Sequence, residues 1–566
     1  MDRRRQRATS EAVEQEIKHE QAVVDRIYAR LEAATRAAHA LQADGHARAR
    51  LGNEGGLVER DAIVFQAAKR LASLSAAHDG LVFGRLDTRD HDVRYIGRLG
   101  LRDEDREVLL VDWRAPAASV FYQATAQDPA GVVRRRVLQS LSDQIVGVED
   151  DLLDPAHAPD DMVVVGEGAL LAALARSRDR SMHSVVTTIQ REQDDAIRSP
   201  HKGVTTISGG PGTGKTVVAL HRAAYLLYTD RRRYEGGGVL VVGPNAVFMA
   251  YIERVLPSLG ETSVSMRALG DVVAGITATR HDTPAVALIK GSSRMRGLLS
   301  AVARGAVPGA PTQFRLFYRD DVLTLGEQQL GRFRRELLDR WRRRNHVVPH
   351  VADELIELLW RQVDGDRALS RGKDEFAHTL YSDRAFLDFV RGWWPVVDAV
   401  DVLGWLSDVD RLAHDAAGTF TAHELDDLVD SFTAHGYAID DVPLLDELRY
   451  QLGERSAPED DHDPLSDLYD ETVPELSTVD ARWSDIAQDG RDGQRPSESI
   501  EDDGYAHVLI DEAQDLSPMQ WRMLGRRGRS ASWTIVGDAA QSSWSLTEEA
   551  TAARAEALGD KDQHSF

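Results

Sequence analysis

The first part of the chain alternates polar and apolar positions at a helical spacing. Residues 11–42 carry two interleaved apolar sets with seven-residue spacing, the pattern of a helix with one apolar seam. The sets are Ile17, Val24, Leu31 and Ala38, and Val13, Ile27, Ala34 and Leu41, and the second set skips one position, between Val13 and Ile27. At 1.5 Å per residue this helix would be roughly 48 Å long. A second helical pattern covers 59–78, after a polar segment with several glycines. Residues 1–80 are therefore predicted to form an antiparallel coiled-coil hairpin, which either packs on its own protein or projects towards a partner.

Residues 81–185 have a different pattern. Short apolar or alternating runs are separated by turns rich in Gly, Pro and Asp, which favours a small β-rich module; the runs are LVFGRL, VRYIGRLGL, EVLLVDW, SVFYQAT and VVRRRVL. Helical spacing returns over 160–185. This last stretch is predicted to be a connecting helix.

In two separated parts of the chain, predicted strands and helices follow one another in the order typical of a parallel sheet. In 186–269 a strand, a Gly-rich turn, a long helix and another strand follow one another, and strand-like runs return in 504–566 as HVLIDEAQD and SWTIVGDAAQ. Neither part supplies a complete nucleotide site alone. We therefore predict an α/β fold, a RecA-like P-loop NTPase sheet, interrupted by a helical insertion (270–456) and an acidic linker (457–503) with sixteen Asp and Glu against three Arg.

Composition narrows the classes of protein. The chain has no cysteine, which excludes disulfides, thiolate metal sites and a cysteine nucleophile. No apolar run approaches the length of a membrane span, and the N-terminus lacks a signal peptide pattern, so we expect a cytoplasmic protein without membrane contact. The net charge of −24 means that any nucleic-acid contact must be local. The basic run at 331–346 either faces nucleic acid or is a solvated, arginine-rich helix face.

A phosphate-binding motif stands at 209–216, where GGPGTGKT lies between a predicted strand and a predicted helix. Its glycines let backbone N–H groups surround phosphate oxygens at the start of the helix. Lys215 should reach the β- and γ-phosphates, and Thr216 should hold Mg²⁺. The predicted nucleotide-binding set is Gly209, Gly210, Pro211, Gly212, Thr213, Gly214, Lys215 and Thr216.

Carboxylates and amides complete the predicted site. In VLIDEAQD an apolar strand ends in Asp511, expected to support Mg²⁺, and Glu512, expected to polarise the attacking water. Gln541, in GDAAQ, is expected to sense the γ-phosphate, because an amide both donates and accepts; the alternative is a surface glutamine. Gln193 is a candidate for pairing with adenine, which would make the nucleotide ATP; the alternative is a solvated helix residue.

Together these motifs carry a family resemblance. The ordered set IQREQ, GGPGTGKT, VVGPN, IDEAQD and VGDAAQ resembles the first motor lobe of superfamily 1 helicases of the UvrD and Rep type. Over almost the whole chain the sequence is similar to the HelD group of bacterial RNA polymerase-recycling ATPases, in LVFGRLD, YIGRLGLRD, DWRAPAASVFYQAT, GGPGTGKTVVALHRAAYLLY and the helical insertion before IDEAQD. The segment from DWRAP to RRR is far more specific than the phosphate-binding motif.

The resemblance implies partners and two probes. Relatives insert an N-terminal coiled coil into the secondary channel of RNA polymerase and a helical insertion into its main channel, and so release stalled enzyme; some also displace rifamycins. Residues 11–78 and roughly 270–490 would be the two probes. Bacterial RNA polymerase is the expected partner, with DNA as a second one, and the protein is expected to act as a monomer. The negative net charge of the chain fits a protein that occupies a nucleic-acid channel, because such a protein benefits from negative charge.

The resemblance also implies a second motor lobe, which supplies arginines and begins soon after GDAAQSSW in a segment typically containing NYR. This sequence ends instead at GDKDQHSF. Without such arginines, worth roughly 10³–10⁵ in rate, we expect weak Mg-ATP binding and slow hydrolysis. Three functions stay open: a polymerase-recycling ATPase, a fragment of a UvrD/Rep-type 3'-5' DNA repair helicase, and a non-catalytic polymerase-binding protein with a vestigial ATP site.

Overall fold

The structure is a computed structural model of the chain. It describes residues 10–48, 64–68, 70–72, 74–75, 77–159, 161–165, 189–210, 212–255, 264–453, 504–538, 544 and 547–566. Within these ranges no helix combines the length and the apolar character needed to cross a lipid bilayer. The acidic linker predicted at 457–503 lies outside the described residues.

The N-terminal part consists of one long helix packed on a six-stranded sheet. The N-terminal helix spans Ser10–Arg48. The sheet has the order β3-β4-β2-β1-β5-β6 and is antiparallel except for the pair β2 and β4. Its strands are β1 (Val82–Thr88), β2 (Val93–Gly97), β3 (Leu101–Arg102), β4 (Val108–Asp112), β5 (Val132–Leu141) and β6 (Gln144–Leu152). We call this sheet and its short helices the β-module.

The apolar seam of the N-terminal helix is only partly buried. Val24, Ile27 and Leu31 are at most 1% exposed and share a core with Leu74 of the second helical stretch, whereas Leu41 is 48% exposed. Residues 64–68, 70–72 and 74–75 are helical where described. The coiled-coil hairpin as a whole stays a prediction, because part of it lies outside the described residues.

One local prediction in the β-module region is wrong, and another is tested only at its start. The run SVFYQAT is one of those that predict the β-rich module, but Ser119–Gln123 is a short helix that follows a 3₁₀ turn beginning at Pro116. One helical turn lets the adjacent residues Phe121 and Tyr122 both be buried, which a strand with one buried face would not allow. Residues 161–165 contain no helix. The rest of the predicted connecting helix lies outside the described residues.

Ion pairs hold the N-terminal helix on the β-module. Glu20 is fully buried and accepts hydrogen bonds from Arg136 at 2.7 Å, Arg85 at 2.8 Å and the Tyr95 hydroxyl at 2.8 Å. Arg136, also fully buried, donates to both oxygens of Asp150. Burial alone would raise the pKa of the Glu20 carboxyl, but Arg85 and Arg136 hold it below its usual value. The helix is therefore tied to the sheet by charged groups that are buried or nearly so.

The second sheet is fully parallel and has the order β16-β7-β15-β14-β8-β9. Its strands are β7 (Val204–Ser208), β8 (Val239–Gly243), β9 (Ser265–Ala268), β14 (His507–Ile510), β15 (Ser532–Gly537) and β16 (Gln563–Ser565). The surrounding helices are Arg191–Ile197, Lys215–Thr229, Arg231–Gly237, Ala246–Val255, Pro518–Arg527 and Thr547–Leu558, with a 3₁₀ turn at Ala513–Asp515. Both sequence parts contribute strands to this one sheet, with β7 lying between β16 and β15, which confirms the α/β class with a parallel sheet.

Between β9 and β14 the described chain is mainly helical. Its α-helices are Pro284–Gly291, Arg294–Arg304, Glu327–Trp341, Arg344–Val347, Val351–Trp360, Asp366–Leu369, Gly372–Tyr381, Arg384–Trp393, Ala399–Gly404, Val409–Ala416, Ala422–Thr433 and Val442–Leu452. Its 3₁₀ turns are Leu269–Asp271, Val348–His350, Trp405–Ser407 and Ile439–Asp441. Strands β10 (Ala278–Arg280) and β13 (Tyr437–Ala438) pair in parallel, and β11 (Phe314–Tyr318) and β12 (Asp321–Leu325) form a hairpin.

The last helix of this region is held on the helix Pro518–Arg527, beside the parallel sheet, by buried charges. Asp446 and Glu447, on the helix Val442–Leu452, are 5% and 1% exposed. Glu447 pairs with Arg522 at 2.7 Å and with Arg526 at 2.7 Å, and Asp446 pairs with Arg527 at 2.8 Å. These ion pairs connect the helical region to the helix Pro518–Arg527, which follows the predicted magnesium ligand Asp511.

A second buried cluster surrounds Lys290, which is fully buried. Its ammonium group donates to Asp441 at 2.5 Å, to the Ser431 hydroxyl at 2.7 Å and to Asp282 at 2.8 Å. Asp440 lies beside this cluster. Burial, together with the negative charges of Asp282 and Asp441, raises the pKa of Asp440 to about 7.

Replacing Asp440 by asparagine should stabilise the protein more at pH 8 than at pH 5.5. The pKa of Asp440 is about 7 in the folded protein and 3.8 in the reference state, so the folded state binds the extra proton between these values and loses stability as the pH rises through them. The gain at pH 8 should be about 1–3 kcal/mol, measured by chemical denaturation. Asp426→Asn, at an exposed position of the helix Ala422–Thr433, is the control; equal gains at both pH values would contradict the prediction.

Candidate nucleotide-binding site

The Gly-rich loop joins the end of β7 to the helix Lys215–Thr229, which we call the P-loop helix. Gly212 and Gly214 have φ angles of +74° and +84°, which residues with a side chain rarely adopt. A Cβ atom at Gly210 or Gly212 would meet nothing within 4 Å. The loop therefore bends around a free space at the N-terminal end of a fifteen-residue helix, where N–H groups favour an anion.

Lys215 and Thr216 form the first turn of the P-loop helix. The Lys215 ammonium group donates to the carbonyl oxygens of Gly209 at 2.6 Å and Gly210 at 3.1 Å, so it lies across the loop. The Thr216 hydroxyl donates to the Asp511 carboxylate at 2.7 Å. The structure thus brings together two predicted magnesium ligands that are 295 positions apart in the sequence.

Asp511 directly follows β14 and is 4% exposed. Burial raises the pKa of its carboxyl group, and hydrogen bonds from Thr216 and from the Glu512 backbone N–H offset this only in part. A divalent cation at this position would favour the ionised form. Its environment therefore suits a carboxylate that works next to a metal ion.

Gln514 links Glu512, which follows β14, to Asp538, which follows β15. This residue is not identified from the sequence alone. Its side-chain N–H donates to Glu512 at 2.7 Å, and its side-chain oxygen accepts from the Asp538 backbone N–H at 3.1 Å. A Cβ atom at Gly537 would come within 2.7 Å of that oxygen, so glycine makes the contact feasible. Gln514 belongs to the motif DEAQD, but the motif alone does not show that its side chain reaches the end of the neighbouring strand β15.

Gln193 lies on the helix Arg191–Ile197, which we call the bridging helix. Its amide nitrogen donates to the Thr213 carbonyl of the Gly-rich loop at 3.2 Å, and its oxygen accepts from the Gln190 backbone N–H at 3.0 Å. An amide has two N–H donors and two acceptor lone pairs, so these contacts leave one of each for a base edge. The structure therefore places Gln193 against the loop; its pairing with adenine stays a prediction.

Two predicted site residues, Pro211 and Gln541, lie outside the described residues. The segment that contains Gln541 is described on both sides. Asp538 contacts Gln514 at its start, and a Cβ atom at Gly291 would come within 2.7 Å of the Trp544 ring at its end. Both ends of the segment are therefore held by neighbouring elements.

These residues fit ATP and Mg²⁺. A hydroxyl and a carboxylate oxygen are the hard ligands that Mg²⁺ prefers, and a loop with room for a Cβ atom at two glycines can accept phosphate oxygens. Lys215 would hold the β- and γ-phosphates, Thr216 and Asp511 would hold the metal ion, and Gln514 would orient Glu512. Bound Mg²⁺ would supply charge neutralisation at the phosphates.

Three of the seven arginines in the basic run at 331–346 pack against the rest of the protein. Arg334 lies over the Trp393 ring at 5.3 Å, and Arg343 lies over Tyr450 at 5.1 Å. Arg344 is 1% exposed and donates to the Gly305 carbonyl oxygen at 2.8 Å. The other four arginines of the run are exposed: Arg332, Arg335, Arg340 and Arg342. The run therefore divides between packing and solvent, and the choice between a nucleic-acid surface and a solvated helix face stays open.

A parallel sheet with this loop beside an acidic strand end defines a P-loop nucleotide-binding domain. A family model described as an AAA domain (AAA_19) matches residues 193–546, more than half of the 566-residue chain, and the chain belongs to this family. A second model, described as the N-terminal domain of DNA helicase IV HelD, matches residues 17–162. The chain is a HelD-like, helicase-type ATPase, which confirms the family resemblance. A search of curated proteins gave no match.

Proposed function

We propose that this protein is an ATP-binding, RNA polymerase-associated ATPase that dissociates stalled polymerase from nucleic acid and recycles it. The main support is the combination of a nucleotide site with the N-terminal region that matches the HelD model. In that region a helix of 39 residues is tied to the β-module by residues such as Glu20, and it continues to Arg48. A long, firmly based helix is suited to entering a channel of a large partner.

Binding to purified bacterial RNA polymerase tests this function. The wild-type chain should be retained by immobilised polymerase, and a variant with residues 39–63 replaced by a short Gly-Ser linker should not be. This variant keeps the residues up to Ala38, which include those that pack on the β-module, so its fold should be preserved. Absence of binding by the wild-type chain would remove the proposal.

A DNA helicase of the UvrD/Rep type is a second candidate, which is favoured by the match of residues 17–162 to the N-terminal domain of DNA helicase IV HelD. It predicts ATP hydrolysis that single-stranded DNA stimulates in the absence of polymerase. The third candidate is a non-catalytic polymerase-binding protein with a vestigial ATP site. In that case Lys215→Ala would leave both polymerase binding and polymerase release unchanged.

A further inference from the structure

The β-module contacts the nucleotide site through the bridging helix. Asp194, the residue after Gln193, is fully buried. Its carboxylate accepts from the Gln123 amide of the β-module at 2.9 Å and from Arg198 at 2.8 Å. Gln123 and Asp194 are 71 positions apart in the sequence, so the sequence gives no local sign of this contact.

Further hydrogen bonds fix the same helix. Arg198 donates to the carbonyl oxygens of Trp113 at 2.9 Å and Arg114 at 3.2 Å, both in the β-module segment DWRAP. From the other side, Arg222 of the P-loop helix donates to the carbonyl oxygens of Ser199 at 2.8 Å and Pro200 at 2.7 Å, just after the helix ends. The bridging helix is therefore held between the β-module and the P-loop helix.

Successive residues on an α-helix point about 100° apart. Gln193 is directed at the Gly-rich loop while Asp194 is directed at Gln123. A rotation of the helix that releases Asp194 from Gln123 would also move Gln193 away from the Thr213 carbonyl. The orientation of the predicted base-reading amide is thus set by a contact on the neighbouring residue.

We infer that Gln123 of the β-module is a positioning residue for nucleotide recognition: through Asp194 it holds the bridging helix in the rotation that presents Gln193 to the purine base. The N-terminal β-module is then part of the nucleotide site, and its contribution is selectivity for adenine over guanine. This inference rests on the proposed ATP site.

The test compares the dissociation constants of Mg-ATP, Mg-GTP and inorganic tripolyphosphate, measured by calorimetry on the full chain. Wild-type protein should prefer ATP, and Gln193→Ala should lose this preference. Gln123→Ala should reduce the ratio of GTP to ATP dissociation constants about three- to tenfold, the effect of about one hydrogen bond. Tripolyphosphate, which has no base, should bind Gln123→Ala and wild type equally.

A double variant separates positioning from a general structural effect. If Gln123 acts through Gln193, adding Gln123→Ala to Gln193→Ala should change the ratio no further. Gln144→Ala, at an exposed position at the start of β6, is the matched control in the β-module and should retain wild-type selectivity.

Two results would overturn the inference while leaving the nucleotide site in place. One is a Gln123→Ala protein that keeps the full preference for ATP, and the other is a wild-type protein that binds ATP and GTP equally. Failure of the proposed function looks different, because a wild-type chain without measurable affinity for Mg-ATP would remove the nucleotide site and this inference together.

Discussion

Replacing Lys215 by alanine is expected to raise the dissociation constant for Mg-ATP about 100- to 1,000-fold. The ammonium group lies across the Gly-rich loop, 2.6 Å from the Gly209 carbonyl oxygen, in the place where β- and γ-phosphates would be held. Hydrogen bonds to charged partners contribute about 1.5–3 kcal/mol each, and alanine would remove more than one of them. Calorimetric titration with a slowly hydrolysed ATP analogue measures the effect.

Two controls make this result specific. AMP lacks the phosphates that Lys215 is predicted to hold, so its affinity should be the same for both proteins. Lys202→Ala removes an exposed lysine just before β7, at the opposite end of the same strand, and should leave ATP binding unchanged. If Lys215→Ala bound Mg-ATP as tightly as wild type, the assignment of the phosphate site would be wrong.

The sequence predicted those parts of the site that depend on short motifs. A Gly-rich loop between a strand and a helix has few alternative structures, because two of its glycines, Gly212 and Gly214, take positive φ angles and the helix starts at the lysine. The pairing of Thr216 with Asp511 follows from the parallel order of β7 and β14 in one sheet, although β15 lies between them. Backbone geometry of this kind depends on residues that are close in the sequence, so a short motif can predict it.

Contacts between distant side chains could not be predicted in the same way. The run VVRRRVL suggests a half-exposed strand, yet Arg134 and Arg136 of β5 are 4% and 0% exposed because acidic residues from other elements pair with them. The hairpin β11–β12 was missed for a related reason: its apolar residues Phe314, Leu323 and Leu325 are buried by neighbouring helices. Tertiary packing decides such cases, and one sequence does not show it.

The edge strand β16 is not predicted from the sequence, because its residues show no pattern of hydrophobic positions. β16 is the three-residue strand Gln563–Ser565, which pairs in parallel with β7 and contains no apolar side chain. Its register comes from backbone hydrogen bonds, such as the one from the Val204 N–H to the Asp562 carbonyl oxygen at 2.7 Å. Residue type contributes nothing to these bonds, so a pattern of hydrophobic positions cannot reveal them.

Replacing Glu20 by alanine is expected to weaken the attachment of the N-terminal helix by about 1.5–3 kcal/mol, because Arg136 and Arg85 would lose their shared buried carboxylate. Arg136 would keep Asp150 as a partner, and Arg85 would keep Asp87. Native-state hydrogen exchange of backbone amides in β1 and β5 measures the opening free energy directly. The folded-state pKa of Glu20 is lowered from 4.5, so its contribution is complete at neutral pH and is lost as the pH falls below about 4.5.

Glu32→Ala is the matched control on the same helix. Glu32 is 66% exposed and pairs with Arg36 at 3.6 Å, and an exposed pair of this kind contributes less than about 0.5 kcal/mol. The two variants remove the same side chain from one helix, so helix propensity cancels and the difference reports burial. A Glu20→Ala protein with wild-type exchange rates in β1 and β5 would mean that apolar packing around Ile27 and Leu31, and not the ion pairs, holds the helix on the β-module.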